Sequence, residues 1–183
     1  MIKAIFDTET TGLLKPNAVH VDEQPEVVEL YACVINEEYE LIREFDHLIK
    51  PKIPLTEELT RIHGITNDML KDKPSFGEVF DEFAEFMTGV DEMIAHNLAF
   101  DRSMIANEMI RIDKLLNFPW PRIHTCTVEM SMPIEQRRMS LSKLHQHAVH
   151  KPHEGAHRAK ADVFALVRCY HWLMEREDDK HRS

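Results

Sequence analysis

The order of strand and helix signals along this chain constrains its fold more than any other feature. Three strand patterns come first, at residues 2–6, 27–35 and 41–49, and the second and third lie close enough to form an antiparallel hairpin. The later signals alternate, with a helix after Ser75, a strand at 92–95, a helix at about 99–112, a strand at 122–125, and helices at 141–148 and about 158–176. This order predicts an α/β sandwich around a mixed sheet.

The helix after Pro74 has the clearest local signals. Ser75 and Glu78 form a capping-box pattern. Apolar residues recur at helical spacing after it, on a face made of Phe76, Val79, Phe80, Phe83, Phe86 and Met87. We interpret this stripe as packing against the core.

Length and composition predict one domain over residues 1–176 and a polar C-terminal tail at 177–183. The chain has 183 residues, of which 43% are hydrophobic and 30% charged, as in ordinary globular proteins. Its apolar runs fall short of the ~20 residues that a membrane-spanning helix needs, so no membrane partner is predicted. Three cysteines are too few and too scattered for a disulfide framework, which favours buried, reduced thiols in a cytoplasmic protein.

The charge of the chain bears on its partners. A net charge of −10 argues against a protein that coats nucleic acid by bulk electrostatics. Residues 1–100 have 8 basic and 21 acidic side chains, whereas residues 101–183 have 14 and 11. A polyanion would be bound more easily by the second half, or through cations held by the first; two differently solvated surfaces are the alternative.

Two carboxylates at the end of the first strand need an explanation. Asp7 and Glu9 follow the apolar residues 2–6 and, being two apart on a strand, point to the same side. Like charges on one face repel and raise each other's pKa unless a cation lies between them. The pair therefore suggests a metal site.

Two further acids stand near helix starts. Asp101 ends the stretch HNLAFD, where a helix-capping acid is the simple interpretation. Asp162 ends HRAKAD, five residues after His157. Because positions five apart on a helix point in different directions, the two can meet only if His157 lies on the loop before the helix. A capped helix with a surface histidine is the alternative.

Together, the stretches DTETTG (7–12), HNLAFD (96–101) and HRAKAD (157–162) resemble the three motifs of the DEDDh 3′–5′ exonucleases. The resemblance covers nearly the whole chain, and the segment IHGIT (62–66) is also similar to the family. It implies a ribonuclease-H-like exonuclease fold, with a central mixed five-stranded sheet in the order 3-2-1-4-5 flanked by helices.

The resemblance also implies roles for five residues. Asp7, Glu9, Asp101 and Asp162 would bind two divalent cations, Mg²⁺ or Mn²⁺, and His157 would be the general base. Asp7 would bridge both ions, Glu9 and Asp162 would complete the site of the attacking water, and Asp101 would serve the leaving-group side. These roles suit the residue types, because hard cations prefer carboxylate oxygens and histidine titrates near neutral pH.

Substrate contacts follow from the same resemblance. The terminal nucleotide would meet the backbone around Thr8, Thr10, Thr11 and Gly12, with Leu13 against its base and His63, Ile65, Asn97 and Phe100 in the pocket. Core packing for Ile65 and Phe100, and local hydrogen bonding for His63 and Asn97, are the alternatives. The loop at 14–25 is longer than usual for the family, which would change how a substrate enters.

The histidine-rich segment 145–157 admits two interpretations. It contains His145, His147, His150, His153 and His157. A zinc site is the bolder hypothesis, but no cysteine accompanies them, and Pro152 and Gly155 interrupt the ligand spacing. We favour a polar loop that contains the catalytic histidine. Nearby basic residues are either a path for substrate phosphates or a solvated face; they are Arg137, Arg138, Lys143, Lys151, Arg158 and Lys160.

The sequence thus predicts a metal-dependent 3′–5′ exonuclease that removes nucleotides from single-stranded or frayed DNA ends. Activity on RNA is the alternative substrate, because the treatment of a 2′-hydroxyl is not visible in the residues. A free-standing nuclease is slightly favoured, and association with a DNA polymerase or another replication or repair protein is the alternative. A non-catalytic nucleic-acid-binding subunit is the alternative from a different class, but all five expected residues are present.

Overall fold

The computed structural model describes residues 1–182. Its sheet has five strands in the order β3-β2-β1-β4-β5, which confirms the predicted order. The strands are β1 (Lys3–Thr10), β2 (Val27–Ile35), β3 (Leu41–Leu48), β4 (Glu92–Ala95) and β5 (Ile123–Cys126). β1, β2 and β3 pair antiparallel, whereas β4 runs parallel to both β1 and β5, so the sheet is mixed as predicted.

Seven α-helices accompany the sheet within the described chain. They are α1 (Glu57–His63), α2 (Asn67–Leu70), α3 (Phe76–Met87), α4 (Leu98–Arg111), α5 (Thr127–Glu135), α6 (Leu141–Val149) and α7 (Ala159–Arg182). The capping box predicted at Ser75 and Glu78 is present at the start of α3. None of the helices over residues 1–182 is both long and apolar enough to cross a membrane.

The predicted helices differ from the structure in two main respects. Helices α1, α2 and α5 were not predicted, and Pro133 inside α5 removes a backbone donor that a helix normally uses. The last helix, predicted to end at about residue 176, continues as α7 to Arg182 and so includes most of the predicted polar tail. Ser183, the last residue of that predicted tail, lies outside the described residues.

Two hydrophobic clusters lie on opposite faces of the sheet. Alternate residues of β1 separate between them: Phe6 belongs to the cluster that includes α3 and α4, and Ile5 to the cluster that includes α6 and α7. By the same alternation, Asp7 and Glu9 share the α7 side with Ile5, while Thr8 shares the α4 side with Phe6. The site residues of β1 therefore lie on both faces of the sheet, one covered by α7 and the other by α4.

Strand β1 is longer than predicted, and this brings the acids into the sheet. The apolar run predicted a strand at residues 2–6, but pairing with β2 continues to Thr10, with Glu9 opposite Glu29 and an irregularity after it. The backbone hydrogen bonds of β2 stabilise this extension although the side chains there are polar. Asp7 and Glu9 are therefore held on a regular strand.

Arg111, at the end of α4, ties the loop at 14–25 to the core. Its guanidinium Nη2 lies 2.7–3.0 Å from three carbonyl oxygens of that loop, those of Val21, Gln24 and Pro25. Its Nη1 pairs with Glu108 Oε1 at 3.0 Å, and both side chains are almost fully buried. Glu108 in turn accepts the N–H of Val27, the first residue of β2.

We expect Arg111→Met to lower the free energy of unfolding by about 3–5 kcal/mol, because it leaves the Glu108 carboxylate buried without its cation. Urea unfolding measures the effect. The matched control is Arg61→Met, which removes an exposed pair with Glu57 on α1 and is expected to change stability by less than about 0.5 kcal/mol. Equal effects of the two changes would contradict the anchoring role.

Candidate active site

Three carboxylates meet between β1 and the start of α7. Asp7, Glu9 and Asp162 each offer one carboxylate oxygen, and these oxygens all lie within 4.8 Å of one another. Asp162 lies in the first turn of α7, whose N-terminal end favours negative charge. Two acids from a strand and one from a helix are thus brought together by the packing of α7 on the sheet.

Asp101 approaches the same strand from the other side. It lies in the first turn of α4, is only 3% exposed, and its Oδ1 accepts two hydrogen bonds from Thr8. The donors are the Thr8 N–H at 3.1 Å and the Thr8 hydroxyl at 2.8 Å. Asp101 is therefore fixed to the residue between Asp7 and Glu9, beside the group of three rather than within it.

Burial and mutual repulsion raise the pKa values of these acids. Burial, followed by the charges of Asp101 and Asp162, raises the pKa of Asp7 well above its usual value. Burial and the neighbouring Asp162 raise the pKa of Glu9 to about 8. Burial raises the pKa of Asp101 to about 7, although its bonds from Thr8 act in the opposite direction. A cation bound among these oxygens would offset both the lost hydration of the carboxylates and the repulsion between them.

We expect the metal-free protein to lose stability as the pH rises from 5 to 8. Between its ordinary pKa of 4.5 and its folded pKa of about 8, Glu9 binds more protons in the folded chain than in the unfolded chain. Stability therefore falls with rising pH over this window. About 1 kcal/mol corresponds to about 2–4 °C in Tm for a chain of this length, and we expect at least that decrease when Tm is measured in EDTA.

Two comparisons isolate the cause of this pH effect. Glu9→Gln should reduce the decrease, whereas Glu57→Gln, which changes an exposed acid of α1, should not. Mg²⁺ added at pH 8 should restore Tm in the wild type more than in Glu9→Gln, because a bound cation replaces the proton. An equal pH dependence for wild type and Glu9→Gln would contradict this account.

The predicted base lies on the loop before α7, the position that was expected if His157 and Asp162 are to meet. His157 has a φ of 67°, its side chain is exposed, and its backbone N–H donates to Asp162 Oδ2 at 3.0 Å. The backbone of His157 is thus bonded to the acid cluster, and over residues 1–182 no hydrogen bond joins its ring to Asp162. The imidazole ring that contacts Asp162 is that of His153, whose Nε2 lies against Asp162 Oδ1.

An ion pair that was not predicted supports the cluster from β2. Glu29 is 2% exposed, lies opposite Glu9, and accepts hydrogen bonds from Arg158 Nη2 at 2.7 Å and from the N–H of Ala159 at 2.9 Å. It therefore fixes the first residues of α7 to the sheet. An acid inside the otherwise apolar run VVELYACVI was the sequence signal that could have revealed it.

The predicted contacts near β1 form a turn beside the acids. The Thr10 hydroxyl donates to the carbonyl of Gly12 at 2.8 Å, and the Thr11 N–H donates to the carbonyl of Glu26 at 2.8 Å. Leu13 follows with 80% of its surface exposed. This turn therefore presents backbone and one apolar side chain next to the cluster.

The remaining predicted contacts differ in their surroundings. Ile65 is fully buried in a small apolar cluster, which favours the core interpretation for it, and Phe100 packs partly buried against the main core. His63 is buried, its Nδ1 accepts the N–H of Ile65 at 3.1 Å, and its Nε2 has no hydrogen-bond partner among the residues that the structure describes. Asn97 accepts a hydrogen bond from Arg138 at 2.8 Å.

Most of the basic residues near the site are already paired with acids. Lys143 and Arg137 contact Glu135, whose pKa their hydrogen bonds and that of His147 lower to about 2. Arg158 pairs with Glu29, and Lys160 lies 3.2 Å from Glu44. The predicted phosphate path would therefore have to break existing ion pairs. Over residues 1–182, the histidines of 145–157 form no metal-binding group of three.

Comparisons with known proteins show what this chain is similar to in sequence and in fold. The sequence model of a protein family described as exonuclease matches residues 4–170, a range that contains all five predicted catalytic residues. A DNA polymerase III subunit epsilon-like protein of Rhodobacter capsulatus is 30% identical over 168 residues, which cover 91% of this chain and 23% of that protein. The chain therefore spans about a quarter of that relative's length.

Solved structures share the fold at low sequence identity. Exonuclease X, in complex with 5′ overhanging duplex DNA, has a TM-score of 0.65 and 21% identity, covering 95% of this chain and 92% of that one. The nuclease domain of 3′hExo, a DEDDh family member bound to rAMP, has a TM-score of 0.74 and 16% identity, covering 97% and 92%. These similarities confirm the predicted ribonuclease-H-like architecture.

Proposed function

The chain belongs to the exonuclease family, and from this premise we propose that it is a metal-dependent 3′–5′ exonuclease acting on single-stranded or frayed DNA ends. The observation that supports this most is the group of three carboxylates from Asp7, Glu9 and Asp162, with Asp101 beside it. These acids are buried together at a cost, and oxygen ligands of this kind fit Mg²⁺ or Mn²⁺.

The four acids share one role in this function, and His157 has another. Asp7, Glu9, Asp101 and Asp162 would hold two divalent cations, which would supply an activated water, neutralise charge at phosphorus and stabilise the leaving 3′-oxygen. His157 takes the proton of the attacking water, a task that suits an exposed imidazole on a residue whose backbone bonds to Asp162. The backbone of the turn at residues 10–12 receives the terminal nucleotide.

DNA is the proposed substrate and RNA the alternative. The Rhodobacter relative is named for a DNA polymerase subunit, exonuclease X was solved with DNA, and 3′hExo was solved with rAMP. The choice depends on how the pocket treats a 2′-hydroxyl. A DNA polymerase, or another replication or repair protein, is the proposed partner, and co-elution of the purified proteins on a sizing column tests that part separately.

Digestion of matched oligonucleotides tests the proposal. DNA and RNA strands of one sequence, labelled at the 3′ or the 5′ end, are incubated with the protein in Mg²⁺ or in EDTA. We expect early loss of the 3′ label and a descending ladder from the 5′ label in Mg²⁺ alone. Release of the 3′ label in EDTA would overturn metal dependence, and faster digestion of RNA would overturn only the choice of substrate.

A further inference from the structure

We propose that His153 is a positioning residue that orients the Asp162 carboxylate and thereby sets the affinity of the site for divalent cations. This inference rests on the proposed function, because it assumes that Asp162 is a metal ligand. It assigns a role to His153, a residue of the histidine-rich segment 145–157 that takes no direct part in the proposed reaction.

The contact between the two side chains is direct and enclosed. His153 Nε2 lies against Asp162 Oδ1, and the His153 side chain is 4% exposed. Because a carboxylate oxygen only accepts hydrogen bonds, Nε2 is the donor in this contact. A buried hydrogen bond to a charged acceptor is among the stronger polar contacts of a protein and holds its partner in one orientation.

Asp162 is held at both oxygens. Oδ1 faces the His153 ring, and Oδ2 accepts the backbone N–H of His157 at 3.0 Å. Each oxygen keeps further lone-pair capacity for a cation. The two donors fix the plane of the carboxylate while it offers an oxygen to the group with Asp7 and Glu9. Carboxylate ligands that are themselves hydrogen-bonded in this way keep their orientation when a metal binds.

The His153 ring is supported in turn by its own segment. The His145 ring lies 5.5 Å away, centre to centre, and is itself buried. His145 Nδ1 lies 3.1 Å from the carbonyl oxygen of Lys151, which fixes the chain two residues before His153. Helix α6, through His145, therefore supports the ring that contacts Asp162.

The two histidines near Asp162 thus have different tasks. The His153 ring is buried and bonded to the carboxylate, whereas the His157 ring is exposed and only its backbone bonds to Asp162. Replacing the His157 side chain leaves that backbone donor in place. A change at His153 should therefore alter metal affinity, and a side-chain change at His157 should not.

Calorimetric titration with Mn²⁺, without substrate, tests this inference. His153→Met and His153→Gln are similar in size, but only glutamine can donate a hydrogen bond to Asp162. We expect His153→Met to weaken Mn²⁺ binding by about 10–100-fold and His153→Gln to recover most of that loss. His157→Asn, in which asparagine tolerates the positive φ, and His150→Asn should bind Mn²⁺ as the wild type does.

The outcomes separate this inference from the proposed function. Equal Mn²⁺ affinity of His153→Met, His153→Gln and wild type would overturn the positioning role and leave the exonuclease proposal intact. Equal weakening by Met and Gln would also overturn it, because the donor would then be irrelevant. Absence of Mn²⁺ binding by the wild type would overturn the metal site itself. Circular dichroism spectra confirm that the compared variants are folded.

Discussion

We expect Asp7→Asn to release no nucleotide above background in Mg²⁺, and its metal-free form to unfold at a higher temperature than the wild type. The amide keeps the shape of the side chain but loses the charge that a cation needs. Loss of several kcal/mol of charge stabilisation corresponds to a rate at least about 10³-fold lower. Stability rises because burial, Asp101 and Asp162 all disfavour the Asp7 carboxylate in the folded chain.

Two measurements check this pair of opposite effects. Release of a 3′ label in Mg²⁺ reports activity, and Tm in EDTA at pH 8 reports stability. Asp68→Asn, which changes an exposed acid of α2, is the matched control and should alter neither. A variant that keeps activity would remove Asp7 from the metal site. A variant that is inactive and also less stable than the wild type would indicate that Asp7 supports the fold instead.

The sequence predicted the fold where local patterns and packing agree. Strand β2 has its predicted bounds because every residue of 27–35 is buried, so its apolar run and its burial coincide. Helix α3 was marked by its capping box and its stripe, and all six stripe residues are buried. Helix α5 contains Pro133 and few buried residues, so its position is set by neighbouring elements and was not predicted.

The features of the candidate site were likewise predicted only where a local pattern specifies them. Strand alternation predicted that Asp7 and Glu9 face one side, and the position of His157 before α7 followed from helix geometry. The contacts of Glu29 with Arg158 and of His153 with Asp162 were not predicted. The first joins residues 129 positions apart, and the second depends on how an irregular loop closes on α7. Such contacts are consequences of tertiary packing and have no local pattern.

We expect His157→Asn to lower kcat by about 10²–10⁴-fold and to leave the Mn²⁺ affinity and the KM for the oligonucleotide unchanged. Removal of a general base slows proton transfer in the transition state, but it does not remove a ligand of the metal or of the ground-state substrate. Asparagine suits the φ of 67° at this position and cannot accept the proton of water at neutral pH. Steady-state digestion across a range of oligonucleotide concentrations measures both constants.

Saturation with metal distinguishes this histidine from its neighbour. The deficit of His153→Met should shrink as Mn²⁺ is raised, because that variant binds the ion more weakly, whereas the deficit of His157→Asn should persist at every concentration. Added imidazole should restore part of the His157→Asn rate, since the exposed side chain leaves an accessible space. An unchanged kcat for His157→Asn would remove it from the role of base. A deficit that disappears at high Mn²⁺ would place His157 among the residues that hold the metal.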